Sequence, residues 1–150
     1  MQDFKKILFP VDLSETSPLI VPHVRMVAEK FEAQVHLLFA ARLLEFFTSI
    51  YVPHPSVDQF EKEIAEGADR KLQEFRQEYF GDYPRTHTAV IVGDIAEVIL
   101  TYVRDQKIDL LIMGTHGRKG LDRVVFGSIA QRVVQVAPVP VLVINPYRSL

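Results

Sequence analysis

The chain has 150 residues, enough for one domain with a substantial core. Its 17 basic and 19 acidic residues leave a net charge of −2, which excludes the strong basic excess of a general nucleic-acid binder. With no cysteine it has neither disulfides nor thiolate metal sites, and 48% hydrophobic with 24% charged residues is the balance of a soluble globular protein rather than a disordered one.

From the N-terminus, Met1-Gln2-Asp3-Phe4-Lys5-Lys6 passes straight into an apolar run over residues 7–11, closing on Pro10-Val11-Asp12. The run is too short for the core of a signal peptide and no small-residue cleavage site follows it. No stretch approaches the roughly 18 to 20 apolar residues of a membrane span. The expectation is a cytoplasmic protein without a membrane partner. Ile20, Val24, Val27, Ala28 and Phe31 then recur at helical steps. Ser14 or Ser17 is placed to cap that helix, with Pro18 in its first turn. Pro22 would remove a hydrogen bond within it and predicts a late start or a kink.

A second apolar run covers residues 35–40 and ends on Phe39-Ala40. The longest connection follows, from Arg42 to Ser56, with Leu43, Leu44, Phe46, Phe47, Ile50 and Tyr51 in it. So apolar a connection reads either as a lid or partner-covered patch, or as a short helix packed on its own domain. Val57, Phe60, Ile64, Ala68, Leu72, Phe75 and Tyr79 mark a second helix, and residues 88–92 a third apolar run. Gly93-Asp94 supplies a turn and an N-cap for a third helix carrying Ile95, Val98, Ile99, Tyr102 and Val103. A fourth run spans residues 110–113. A last helix carries Phe126, Ala130, Val133 and Ala137, and a fifth run covers residues 139–144.

Most of these runs are continuous rather than alternating, as in strands buried on both faces of a parallel sheet. Strand–helix alternation without a linker or repeat gives one α/β domain over residues 1–150: a doubly wound five-stranded parallel sheet with helices on both faces. Right-handed crossovers that wind outward and then reverse give the order 3-2-1-4-5. Ligands of such sheets bind beyond the carboxyl ends of the strands at the switch point, here between strands one and four. Strand one ends at Val11-Asp12 and strand four at Met113-Gly114.

The fourth run leads into Gly114-Thr115-His116-Gly117, nine further residues, and Gly127-Ser128 before the last helix. Glycines admit an anion close to backbone N–H groups, and a helix N-terminus adds orphan donors and partial positive charge. Strand, glycine loop and helix start therefore make a candidate phosphate cradle. The plainer alternatives are a tight turn at Gly114 and Gly117, a simple N-cap at Ser128, and a local turn or cap role for Asp12. His116 reads as a solvent-facing loop residue, and His23, His36, His54 and His87 show no metal-site spacing.

Gly114, Gly117, Gly127 and Ser128 match G-x2-G-x9-G-[S/T] in full, and in this the chain resembles the ATP-binding branch of the universal stress protein family. The opening Lys5-Lys6-Ile7-Leu8-Phe9-Pro10-Val11-Asp12 and the closing Pro138-Val139-Pro140-Val141-Leu142-Val143-Ile144 resemble that family's first and last strands. The resemblance implies ATP, with Mg²⁺, as ligand. It implies that Gly114, Gly117, Gly127 and Ser128 cradle phosphates, that Arg118 neutralises their charge, and that Asp12 accepts ribose hydroxyls and could help hold Mg²⁺. Pro10, Val11 and Ala40 would border the adenine slot, with backbone groups near residues 11 and 40 reading its edge and Met113 closing it. It also implies a homodimer joined along the edge strand Val141 to Ile144, a bare apolar edge that otherwise invites aggregation.

The residues argue for holding ATP more than for cleaving it. No Gly-Lys-[Ser/Thr] follows the glycines as in a Walker A loop, no Gly-x-Ser-x-Gly elbow occurs, and no general base is identifiable. The expected function is a nucleotide-dependent regulatory or stress-response module. A slow ATPase or nucleotidyl-chemistry enzyme, and an interaction module that binds no nucleotide, stay open as alternatives.

Overall fold

The computed structural model describes residues 3–42, 54–115 and 127–148, with residues 54–57 described by backbone alone. Five strands alternate with four helices: β1 (Lys6–Pro10), α1 (Ser17–Phe31), β2 (Gln34–Ala41), α2 (His54–Phe80), β3 (Thr86–Val92), α3 (Ile95–Asp105), β4 (Leu110–Gly114), α4 (Ser128–Val136) and β5 (Val141–Ile144). The sheet is parallel throughout, in the order β3-β2-β1-β4-β5, as the sequence predicts.

Burial explains the continuous apolar runs. Ile7, Phe9, Val35 and Leu37 pack under α1 and α2 with Ile20, Val24, Ala28, Leu72 and Phe75. Their strand neighbours Leu8, Leu38 and Leu111 point to the other face, beneath α3 and α4 with Ile99, Val103, Ala130 and Val133. Since side chains alternate across a strand, a helix layer on each face makes both sets apolar. The crevice between β1 and β4 thus has α1 on one side and α4 on the other.

Several boundaries differ from the sequence expectations. α1 starts at Ser17 and runs unbroken through Pro22, so the late start is not observed. Pro22 only deprives the Pro18 carbonyl of its usual donor, a loss that the burial of Val21 and Val24 outweighs. Neither Ser14 nor Ser17 caps α1: Thr16 holds the N-cap position without a side-chain cap bond. α2 begins at His54, inside the span read as connection, and residues 43–53 lie outside the described residues. β3 begins at Thr86, two residues before its apolar run, because Thr86 is buried and its hydroxyl donates to the Tyr83 carbonyl at 2.8 Å. β5 begins only at Val141, after Pro140, whose missing N–H disfavours ladder pairing. No helix among the described residues is long and apolar enough to cross a membrane.

Candidate functional site

β1 and β4 are neighbours, with Ile7 opposite Leu110 and Leu8 opposite Leu111, so their carboxyl ends lie side by side at the switch point. Pro10 closes β1 and is half-buried. Val11 is 4% exposed, and its N–H donates to the Leu38 carbonyl at 2.9 Å. That donor is spent on the sheet, so it cannot also read an adenine edge. Ala40 is half-buried on β2, opposite Ile91 of β3. Met113 is buried in the α3–α4 core layer.

The turn after β1 is tightly built. Asp12 Oδ1 accepts the Ser14 N–H at 3.0 Å, the Ser14 hydroxyl at 2.6 Å and the Ser17 hydroxyl at 2.8 Å. The first of these closes an Asx turn. Between them Leu13 has φ 59°, the left-handed region that a bulky side chain rarely enters. Such strain persists where surrounding bonds hold it, and it gathers at functional sites. Asp12 is therefore neither the N-cap of α1 nor a loose surface carboxylate.

Across the crevice, β4 ends at Gly114, opposite Ile144 of β5. The Thr115 N–H donates to the Ile144 carbonyl at 2.8 Å, and the Thr115 carbonyl accepts the Gly127 N–H at 3.3 Å. These two bonds tie the start of α4 to the end of β4. Gly127 is the N-cap, with φ −65° and ψ 153°, and it supplies no side-chain cap bond. Ser128 follows as the exposed first residue of the helix. A Cβ on Gly127 would meet nothing closer than the Thr115 carbonyl oxygen at 3.8 Å. Neither the backbone angles nor the packing among the described residues demands glycine here. Gly117, Arg118 and His116 lie outside the described residues.

An ion-pair chain braces α4 from below: Arg132 bonds Glu97 and lies 3.5 Å from Asp94, which is 3.6 Å from Arg42 at the end of β2. Among the described residues no group of three or more His, Asp or Glu side chains is placed to hold a metal ion. A separate groove of about 680 Å³ runs between β3 and α3, bordered by Ala89, Ile91, Val98 and Tyr102. At it lies His36, 6% exposed, with Nδ1 2.7 Å from the Tyr102 hydroxyl and Nε2 without a partner. Burial, then repulsion from His87 and Lys6, lowers its pKa to about 4.

The bonds of Ser14, Thr16 and Ser17 around Asp12 are what sequence reasoning missed. The signal was present as Asp12-x-Ser14-x-Thr16-Ser17, hydroxyls spaced to turn back on a carboxylate. Ser14 and Ser17 read as alternative helix caps, whereas both hydroxyls donate to Asp12 Oδ1.

The fold defines the class: a doubly wound α/β domain whose β1 ends in an Asp12 turn and whose neighbouring β4 is tied to a helix that starts at Gly127. The model of the Universal stress protein family matches residues 3–145, and the chain belongs to that family. It is 31% identical over 148 residues to the universal stress protein MJ0531 of Methanocaldococcus jannaschii, covering 95% of this chain and 82% of that one. The solved structure of MJ0577, from the same organism, superposes with a TM-score of 0.86 at 26% identity, covering 99% of this chain and all of that one. A universal stress protein solved in complex with cAMP shares the fold at 18% identity and a TM-score of 0.60, covering 97% of this chain and 99% of its own.

Proposed function

We propose that the chain binds an adenine nucleotide, ATP, in the β1–β4 crevice and works as a nucleotide-dependent regulatory or stress-response module with little or no turnover. The observation that carries this reading is that Asp12 follows β1 and Gly127 is tied to the end of the neighbouring β4, while nothing among the described residues demands glycine at 127. A ligand that approaches the backbone supplies the missing reason. The uncapped start of α4 offers N–H donors and positive potential to phosphates, and the Ser128 hydroxyl adds a donor. Gly114 and Gly117 extend the cradle, Arg118 neutralises charge, and Asp12 receives the ribose hydroxyls. Pro10, Val11, Ala40 and Met113 form the apolar floor beneath the base. Mg²⁺ enters on the phosphates, with Asp12 as the one protein carboxylate assigned to it. In the cAMP complex the same fold carries an adenine nucleotide, which supports the ligand class.

Gly127→Val tests the cradle. Its backbone angles suit valine, so the variant should fold, while the branched side chain would stand against the phosphates. ATP affinity measured calorimetrically should fall about tenfold or more, on the order of 1.4 kcal/mol. Equal affinity in the folded variant would remove the phosphate assignment.

A further inference from the structure

The hydroxyls around Asp12 form a chain with a single direction. A carboxylate only accepts, so the Ser14 hydroxyl, 2.6 Å from Asp12 Oδ1, spends its one proton there. Ser14 Oγ then serves as acceptor to the Thr16 N–H at 3.3 Å and to the Thr16 hydroxyl at 2.9 Å, which must be the donor of that pair. From the other side Ser17 donates its proton to the same Oδ1 at 2.8 Å. Thr16 and Ser17 are 2% and 4% exposed, so water does not readily replace either hydroxyl. Leu13, between Asp12 and Ser14, is held at positive φ.

Three donors on one oxygen fix the rotation of the carboxylate. From this geometry we infer that Ser17, assisted by Ser14, is a positioning residue that fixes the Asp12 carboxylate for the ribose and so sets the preference for ribonucleotide over 2′-deoxyribonucleotide. The inference rests on the nucleotide reading above and assigns the origin of its sugar specificity. Asp12 without Ser17 gains rotational freedom, and the bond to the 2′-hydroxyl weakens. A 2′-deoxynucleotide never makes that bond, so its affinity changes little.

The test is calorimetric titration of Mg·ATP and Mg·2′-deoxy-ATP into the wild-type chain, Ser17→Ala, Ser17→Thr and Ser14→Ala, each checked for folding by circular dichroism. The wild type should prefer ATP by about tenfold, and Ser17→Ala should cut this to about twofold through the ATP arm alone. Ser17→Thr, which restores a hydroxyl, should recover the preference. Ser14→Ala, at a half-buried turn position, should shift the ratio the same way and decides the matter if Ser17→Ala does not fold. An unchanged ratio in the folded alanine variants, or a wild type indifferent to the 2′-hydroxyl, overturns the inference while leaving nucleotide binding intact. A wild type that binds neither nucleotide brings down the nucleotide reading itself, and this inference with it.

Discussion

His36 shows at the scale of one residue how burial sets chemistry. Its ring lies between the sheet and α3, and desolvation, then His87 and Lys6, pull its pKa from 6.5 to about 4. The folded state therefore prefers the neutral imidazole, while the unfolded chain takes up a proton near pH 6.5. The stability this contributes is complete above about pH 6.5 and is lost as pH falls toward 4. Urea unfolding across that window should show a falling midpoint that flattens in His36→Gln; an identical slope in both proteins would contradict the assignment. The sequence displayed His36 inside an apolar run but not its partner, because Tyr102 is 66 residues away and only the β2–α3 packing joins them. Asp12 was legible as a candidate site residue from its place after strand one. Its grip by Ser14 and Ser17 was not, because a serine before a helix reads equally as a cap.

The helix starts of α3 and α4 are built differently. α3 begins with Asp94, whose carboxylate accepts the Glu97 N–H at 3.1 Å, the cap read from Gly93-Asp94. Asp94 also meets Arg42 and Arg132, so one side chain joins β2, α3 and α4. Asp94→Ala should lower stability by about 1 kcal/mol, measured by denaturant unfolding; no loss would show that the cap is redundant. α4 is built the opposite way, since Gly127 contributes no cap side chain. A helix start without a side-chain cap bond among the described residues is poor for stability and suited to an anion, which is the contrast with α3 on which the proposed cradle draws. Helix faces were readable from periodicity because a buried stripe needs steps of three and four. Their ends were harder: the start of α2 at His54 precedes its apolar stripe, so no periodic signal marks it.

For the whole molecule, strand order was the most legible property, since continuous apolar runs and right-handed crossovers leave few ways to bury both faces of the sheet. The edges carry the remaining question. β5 pairs with β4 on one side only, Leu142 is 37% exposed, and Val141 and Val143 are half-buried. We propose that this edge pairs with its copy across a two-fold axis. The wild type should then sediment as a dimer at micromolar concentration and Leu142→Lys as a monomer, because a charge on an edge strand opposes pairing; a monomeric wild type would exclude that interface. The account as a whole stands on the crevice between β1 and β4 holding ATP. Its most direct test is mass analysis of the small molecules released when gently purified protein, incubated with Mg·ATP and desalted, is denatured. The account predicts intact ATP, close to one per chain, with little ADP. Protein that releases no nucleotide after millimolar ATP would contradict it.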